Sequence, residues 1–330
     1  MKTRRIGPFE VSAIGLGCMN LSHAYGTPPD AAASAALLNR ALDLGYTFLD
    51  TAALYGFGTN ETLIGSTLKE RRSEYVLASK CGMTGVNGVR VIDGRPETLK
   101  RTCDESLARL QTDVIDLYYL HRLDKTVPIE ESVGGLAALV KAGKVRTIGL
   151  SEVSGATIRR AHAVHPIAAV QTEYSLWTRN VEYGVRQACD ALNIALVAFS
   201  PLARAFLTGK LRDISGLAPK DLRRGMPRFQ PPHFAENLKL LDGFEVLARE
   251  AGCTMGQLAL GWLLAKGENI VPIPGTTNIK HLAENAGGAD VTLSVDMVSR
   301  LDALINVKTV HGPRYNPAAQ ADIDTEEVPQ

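Results

Sequence analysis

The sequence has few cysteines, almost no excess of charge of either sign and no long hydrophobic run. Its five cysteines are an odd number with no C-x-x-C spacing, which argues against a disulfide framework and against a zinc ribbon. The 36 Lys and Arg residues are balanced by 35 Asp and Glu residues, so no field of one sign exists to attract a nucleic acid. The most apolar window, residues 258–265, is much shorter than a membrane span, and no apolar stretch follows the charged start of the chain. We therefore expect a soluble, cytoplasmic protein with a small-molecule ligand and no nucleic-acid or membrane partner.

What the sequence does contain is a repeated alternation of short apolar runs with longer stretches in which apolar residues recur at helical spacing. This alternation predicts parallel strands joined by helices. Eight runs are predicted to be strands, at residues 13–17, 47–50, 75–80, 114–120, 145–150, 168–172, 194–199 and 270–273. Helices are predicted at residues 30–44, 60–68, 96–110, 129–142, 157–164, 181–192, as a pair within 235–266, and at 280–287. Because no Pro/Ser-rich linker divides these units, we expect a single (β/α)8 barrel (TIM barrel) domain over residues 1–330.

Three segments lie outside the predicted strands and helices of the barrel. Residues 1–11 are expected to form an N-terminal hairpin that turns at Gly7-Pro8, and a Pro/Arg-rich loop is expected at about residues 203–233. Residues 306–330 form a C-terminal extension, whose acidic run at 322–327 predicts a solvated segment.

Four ionisable residues stand at the ends of neighbouring predicted strands. Asp50 ends the second strand and Tyr55 follows it shortly, Lys80 ends the third, and His121 follows the fourth. The carboxyl ends of barrel strands meet at one face, where such barrels carry their active groups. The sequence therefore predicts that these four side chains converge.

The chemistry of the four is mutually compatible. A buried Lys80 keeps its charge only if a carboxylate compensates, and Asp50 is placed to do so. A cation beside the Tyr55 hydroxyl is expected to lower its pKa from about 10 and make it a proton donor. His121 would then hydrogen-bond the same substrate oxygen. Singly, each residue is more often a cap, a core residue or a backbone partner, but together they predict a site that protonates an oxygen on which negative charge develops.

Other motifs are weaker. Gly15-x-Gly17 begins a dinucleotide-binding fingerprint, but Asn20 occupies the third glycine position and no helix is predicted there, so the two glycines are better explained by tight strand packing. The sequence has no P-loop and no H-E-x-x-H motif. Of the seven histidines only His121 follows a strand, which argues against a metal-dependent barrel hydrolase and predicts no metal site.

Several motifs, in order along the chain, resemble those of the aldo-keto reductase family. They are Leu49-Asp50-Thr51-Ala52 through Tyr55-Gly56, Ser79-Lys80-Cys81-Gly82, Tyr118-Tyr119-Leu120-His121, Gly149-Leu150-Ser151, Val170-Gln171-Thr172-Glu173-Tyr174-Ser175-Leu176-Trp177 and Phe199-Ser200-Pro201-Leu202. The resemblance covers nearly the whole chain. The runs 151–177 and 273–277 are most similar to the bacterial and plant branch that includes perakine reductase and auxin-induced-protein-like reductases.

The resemblance implies NADPH-dependent carbonyl reduction, with NADH as the alternative cofactor. Tyr55 would be the general acid, Lys80 and Asp50 would tune it, and His121 would orient the carbonyl. The implied cofactor contacts run from the nicotinamide to the adenosine end: Ser151, Gln171 and Phe199, then Ser200, Pro201 and Leu202, then Gly275, Thr276, Thr277, His281, Glu284 and Asn285.

The chain departs from the family pattern at three positions. Phe199 stands where many members have tyrosine. Glu152 stands where many have asparagine, so the resemblance implies only Ser151 and Gln171 as contacts of the nicotinamide carboxamide. Asn278 stands where relatives often have lysine or arginine, which removes a cation expected near the 2′-phosphate of NADPH. Lys280, His281 and Arg204 are the candidates to replace it.

Two further expectations concern the substrate and an alternative role. The substrate pocket is expected to be partly apolar and to favour aromatic or bulky aldehydes and ketones, with contributions from residues 311–315 and from Met19, Asn20, Tyr25, Leu54, Met83, Arg122 and Trp177. The alternative is an NADP-binding regulatory protein with little turnover, resembling the potassium-channel β subunits, because a fold alone does not define an activity.

Overall fold

The computed structural model describes residues 1–86 and 89–328, and a curled sheet of eight parallel strands forms its centre. Each crossover between neighbouring strands returns through at least one helix, as the alternating pattern predicts. In chain order the strands are β1 (Thr3–Ile6), β2 (Phe9–Ser12), β3 (Leu16–Gly17), β4 (Phe48–Asp50), β5 (Val76–Cys81), β6 (Met83–Val86), β7 (Val89–Ile92), β8 (Ile115–Leu120), β9 (Val145–Ser151), β10 (Ile167–Glu173), β11 (Ala195–Phe199) and β12 (Ile270–Pro272). The central sheet has the order β3-β4-β5-β8-β9-β10-β11-β12.

The first and last strands of this sheet meet and close it into a (β/α)8 barrel. The backbone N–H of Gly15 donates to the carbonyl of Pro272 at 3.0 Å, and that of Gly17 donates to Pro274 at 3.3 Å. A Cβ atom on Gly15 would lie 2.6 Å from the ring of Phe48, and one on Gly17 would lie 2.8 Å from the carbonyl oxygen of Ile273. These distances are far below van der Waals contact, so the seam requires glycine at both positions, and the pair packs strands rather than opening a nucleotide-binding helix.

The helices lie outside the barrel. They are α1 (Ala31–Asp43), α2 (Thr59–Leu68), α3 (Pro96–Leu110), α4 (Ile129–Lys141), α5 (Gly155–Val164), α6 (Val185–Leu192), α7 (His233–Glu250), α8 (Met255–Lys266), α9 (Ile279–Gly287), α10 (Val295–Leu304) and α11 (Pro317–Ala321). Local capping explains several starts: the Asp30 side chain accepts the N–H of Ala33 at 2.7 Å, and Thr254 and Gln257 form a reciprocal capping box before α8. No helix in the described ranges is long and apolar enough to cross a bilayer.

The N-terminal hairpin, β1 and β2, covers the amino-terminal end of the barrel. It turns at Gly7, whose φ of +53° is favourable for glycine, and pairs Thr3 with Ser12 in antiparallel register. Ile6 and Val11 are fully buried against the side chains that fill the barrel interior. The hairpin therefore closes one end, and the opposite, carboxyl end of the strands remains for a ligand. That residues 1–330 make up a single domain stays a prediction.

The C-terminal extension differs from its expectation. Ile323 and Thr325 are buried, the Asp324 carboxylate accepts the N–H of Ser154 at 2.9 Å, and the Glu326 carboxylate accepts the N–H of Gly155 at 2.7 Å. The prediction of a solvated acidic run was wrong for Asp324 and Glu326, because these two acids bind backbone N–H groups at the start of α5, whereas Glu327 is exposed.

Candidate active site

The carboxyl ends of the barrel strands surround a cavity of about 790 Å³. Its lining brings together side chains that are far apart in sequence, from β3 to the C-terminal extension. Asp50, Tyr55 and His121 line it, and Lys80 is fully buried directly beneath them. The structure therefore assembles the four residues that the strand ends predict.

Lys80 is held by three oxygen partners. Its ammonium forms an ion pair with the carboxylate of Asp50, donates to the carbonyl of Thr51 at 2.8 Å and lies 3.3 Å from the hydroxyl of Tyr55. The second Asp50 oxygen accepts from the Gln171 amide at 2.7 Å. Burial alone would lower the pKa of Lys80, but the charges of Asp50 and Tyr55 outweigh it and raise the pKa. Lysine therefore stays cationic although no water reaches it.

Tyr55 begins a tight turn five residues after the end of β4. The turn continues through Gly56 and Phe57 with positive φ values of 57° and 52°, and the Tyr55 hydroxyl lies beside the Lys80 ammonium. Burial raises the pKa of the Tyr55 hydroxyl above its ordinary value, and the Lys80 charge opposes this only in part. The expectation of a lowered pKa was therefore wrong in direction, because desolvation of the phenolate outweighs the neighbouring cation. The consequence is a tyrosine that keeps its proton at neutral pH.

His121 stands on the other side of Tyr55. Its ring meets the Tyr55 ring edge-on with centroids 5.9 Å apart, and its backbone N–H donates to Cys81 at 2.8 Å, which fixes it at the end of β8. Burial, together with the nearby charges of Arg122 and Lys80, holds the pKa of His121 well below its ordinary value. The imidazole is therefore neutral, and its buried Nδ1 has no hydrogen-bond partner among the described residues.

Asp50, Tyr55, Lys80 and His121 together are called the tetrad. Two residues near the tetrad were not predicted from the sequence. His23 lies against Tyr55, with ring centroids 5.5 Å apart, and Arg90 reaches the cavity from β7. His23 follows a short turn after β3, and β7 belongs to a hairpin with β6 outside the barrel. Neither position ends a predicted strand, so the pattern of strand ends does not predict either residue.

The expected cofactor contacts all lie along the same cavity. Parallel register places Ser151 beside Gln171 at the ends of β9 and β10, and Phe199 ends the next strand. All of the following line the cavity: Ser151, Gln171, Phe199, Ser200, Pro201, Leu202, Gly275, Thr276, Thr277, His281, Glu284 and Asn285. A Cβ on Gly275 would lie 2.8 Å from the Gly17 carbonyl oxygen, so this position has no room for a side chain. A long cavity that passes from the tetrad to the start of α9 fits an extended dinucleotide whose phosphates need backbone and helix N-terminal donors.

Glu152 is directed away from this cavity. Its backbone has a φ of +54°, and its carboxylate pairs with Arg314 and accepts the hydroxyl of Thr325 at 2.9 Å. The glutamate in place of asparagine is therefore explained by the C-terminal extension, to which it is bonded.

At the far end of the cavity, Asn278 caps α9. Its side chain accepts the N–H of Lys280 at 2.8 Å. Lys280 is exposed and does not line the cavity, Arg204 is bound to Glu173 at 2.7 Å, and His281 does line the cavity. Lys210, which sequence reasoning did not select because it lies in the long loop after β11, also lines this end. His281 and Lys210 are thus the side chains placed to meet a phosphate there, and the Lys210 ammonium also lies 3.9 Å from the Glu284 carboxylate.

Of the expected substrate residues, Met19, Asn20, Tyr25, Leu54, Met83 and Arg122 line the cavity, as does Tyr315 from the C-terminal extension. Trp177 does not, and this expectation needs correction. Its indole stacks on Phe206 at a centroid distance of 4.2 Å and meets Phe229 edge-on at 5.2 Å, so it is part of an aromatic cluster behind the wall. Among residues 1–86 and 89–328, no group of three His, Cys, Asp or Glu side chains is arranged to hold a metal ion.

Comparison with known proteins gives one consistent result. The family model described as Aldo/keto reductase family matches residues 13–306. An NADP(+) aldo-keto reductase of Schizosaccharomyces pombe, yakc, is 44% identical, and the match covers 99% of both chains. The solved structure of the glycerol dehydrogenase AKR11B4 from Gluconobacter oxydans is 28% identical with a TM-score of 0.86, covering 96% of this chain and 98% of that one. An aldo-keto reductase from Klebsiella pneumoniae in complex with NADPH is also 28% identical, with a TM-score of 0.72, covering 92% of this chain and 95% of that one.

Proposed function

Because this chain belongs to the aldo/keto reductase family, we propose that it reduces aldehydes or ketones to alcohols, reversibly, with NADPH as cofactor and Tyr55 as general acid. At the coarser level the chain is an NADP-dependent oxidoreductase. One observation supports the finer assignment above the others. The Tyr55 hydroxyl lies 3.3 Å from the buried, cationic Lys80, and the Tyr55 and His121 rings lie next to each other in the wall of the same cavity.

The proposed roles follow from the charges of these groups. NADPH, when bound, supplies the hydride that reaches the carbonyl carbon. The neutral His121 imidazole donates a hydrogen bond to the carbonyl oxygen and positions it beside Tyr55. As negative charge develops on that oxygen, Tyr55 transfers its proton to it, and the Lys80 ammonium stabilises the phenolate that remains. Asp50 keeps Lys80 charged, and Gln171 fixes the second oxygen of Asp50.

The same geometry supports the expected cofactor contacts. Ser151 and Gln171 lie side by side next to the tetrad, where a carboxamide would bind, and the Phe199 side chain offers a face for ring stacking. The start of α9, with Thr276 and Thr277 before it, would meet the adenosine phosphate. NADH would bind in the same cavity without the contact from His281 or Lys210.

The experiment that tests this proposal is a turnover assay. Purified protein is mixed with NADPH or NADH and a panel of aromatic and aliphatic aldehydes and a sugar phosphate, and cofactor oxidation is followed at 340 nm. We expect turnover of aromatic aldehydes with NADPH, with one alcohol formed for each NADPH oxidised. Tight binding of NADPH without turnover on any aldehyde would favour the regulatory alternative, and a strong preference for the sugar phosphate would contradict the partly apolar pocket.

A further inference from the structure

Among the residues that the structure describes, four arginines line the cavity: Arg90, Arg122, Arg204 and Arg223. Arg122 is the one of these four that forms no ion pair with another described residue. Arg90 is paired with Asp322, Arg204 with Glu173 and Arg223 with Asp221. No carboxylate oxygen of the described chain lies within 4.0 Å of the Arg122 guanidinium.

The bonds that Arg122 does make fix its position and leave donors free. Its Nη1 donates to the carbonyl of His121 at 2.6 Å and to the hydroxyl of Ser151 at 3.2 Å, both neutral acceptors. Its Nε and Nη2 have no acceptor in the part of the chain that the structure describes. Nitrogens of this kind form two parallel bonds to a carboxylate, which is the pairing that guanidinium geometry favours.

The charge around Arg122 also favours an anion. Among the described residues that line the cavity, the carboxylates are Asp50 and Glu284. Asp50 is paired with Lys80, and Glu284 belongs to α9 at the opposite end. The charge of Arg122 acts on both reacting groups: after burial it is the next cause of the lowered pKa of His121, and at Tyr55 it only opposes the burial that raises the pKa. The buried Glu152 also feels the charge of Arg122, but its carboxylate is paired with Arg314. An anionic group of the substrate would therefore meet a guanidinium that has no carboxylate of its own beside the carbonyl site.

We infer that the substrate is an aldehyde or ketone that also carries a carboxylate, and that Arg122 binds this carboxylate. The inference rests on the proposed function and narrows its substrate class. The carboxylate takes no part in the reaction: the hydride of NADPH goes to the carbonyl carbon, the proton of Tyr55 goes to the carbonyl oxygen, and the products are the hydroxy acid and NADP+. The apolar side chains of Met19, Leu54 and Met83 in the same cavity suit an apolar body between the two polar groups.

The test compares two aldehydes that differ in charge but little in shape, 4-carboxybenzaldehyde and 4-formylbenzamide. The same comparison is made with the two 3-substituted isomers. The measured quantity is the ratio of kcat/KM for the acid to that for the amide. We expect this ratio to fall about 10- to 100-fold in Arg122→Gln, the range of a charge-assisted hydrogen bond, and Arg122→Lys to retain part of it. The change should fall mainly on KM, since the carboxylate is bound equally before and during reaction. The matched control is Arg101→Gln, an exposed arginine on α3, which should leave the ratio unchanged.

Two results would overturn the inference. One is an acid-to-amide ratio in Arg122→Gln equal to that of the unchanged protein. The other is an equal decrease of kcat/KM for both aldehydes in Arg122→Gln, together with a weaker affinity for NADPH. That result would show that Arg122 supports cofactor binding, by way of its bond to Ser151.

Failure of the proposed function gives a different result, namely no turnover of either aldehyde by the unchanged protein. The anion site is then measured by calorimetry in the presence of NADP+. Tighter binding of 4-(hydroxymethyl)benzoate than of its amide, lost in Arg122→Gln, supports the site, and equal binding of the two overturns it.

Discussion

Lys80 shows how a single buried charge is made tolerable by its neighbours. A fully buried ammonium would lose its proton unless its partners replaced water, and here one carboxylate, one backbone carbonyl and one phenol do so. The three partners come from the last residue of β4 and the loop that follows it, so residues 50–55 supply all three oxygen atoms around the ammonium. The consequence for Tyr55 is a fixed hydroxyl next to a permanent cation.

Replacing Tyr55 with phenylalanine should therefore remove the proton donor and leave the rest of the site in place. We expect kcat/KM for aldehyde reduction to fall by about 10²- to 10⁴-fold, the contribution of a positioned general acid. The affinity for NADPH, measured by quenching of protein fluorescence, should change little, since the Tyr55 hydroxyl is bonded to Lys80 rather than placed along the cofactor wall. Tyr183→Phe, at a partly exposed tyrosine outside the cavity lining, is the matched control. Near-normal turnover in Tyr55→Phe would show that another group protonates the substrate.

At the scale of elements, the sequence predicts the barrel well and its attachments poorly. The eight barrel strands are short apolar runs buried on both faces, and each lies within a few residues of its predicted range. The hairpin of β6 and β7 was missed because Val89 and Val91 are exposed, so the run shows no buried face. Helix α10 was missed as well, and only Leu301 of its residues is fully buried. Elements outside a continuous core leave little periodic signal.

The same distinction applies to the site. The tetrad could be predicted because each member stands at or just after a strand end, where barrel topology fixes its direction. Trp177 could not be placed in this way, because its contacts with Phe206 and Phe229 come from the long loop, whose path the sequence does not reveal.

The start of α9 carries a testable consequence for cofactor choice. Asn278 caps the helix, so Asn278→Lys adds a cation near a 2′-phosphate but removes a cap that contributes about 1 kcal/mol. We expect the ratio of kcat/KM for NADPH to that for NADH to rise up to about 10-fold, with a small decrease in melting temperature. Asn278→Ala is the control, because it loses the cap without gaining a charge and should lower the melting temperature alone. An unchanged cofactor ratio in Asn278→Lys would place the 2′-phosphate elsewhere.

At the scale of the whole molecule, the C-terminal extension is joined to the barrel by a buried network of charges. Arg314 pairs with Glu152 from β9's end and lies 3.0 Å from Glu173 at the end of β10. Arg204, from the loop after β11, lies 2.7 Å from the same Glu173. Tyr315, next in the chain, then becomes part of the cavity wall. The extension thus completes the site, and three separate parts of the chain depend on one cluster of ions.

Removing one charge from this cluster should destabilise the entire fold. Glu152→Gln keeps the size of the side chain but leaves Arg314 with Glu173 as its remaining carboxylate partner, and breaking a buried pair costs about 3–5 kcal/mol. We expect a loss of about 3 kcal/mol in the free energy of unfolding at pH 7, measured with urea, and a higher KM for aldehydes because Tyr315 loses its support. Glu327→Gln, an exposed glutamate of the same extension, should change neither.

The stability difference between the unchanged protein and Glu152→Gln should depend on pH if it comes from the charge of Glu152. Burial would raise the pKa of Glu152, but Arg314 outweighs it and the pKa is lowered in the folded protein. A carboxyl whose folded pKa is below its unfolded value, which is about 4.3, stabilises the fold above that value and loses the effect as the pH falls through the folded pKa. The gap in stability between the unchanged protein and Glu152→Gln should therefore be constant from pH 7 to about pH 5 and shrink at lower pH. A gap that does not vary with pH would show that the lost stability comes from packing around residue 152 and not from its charge.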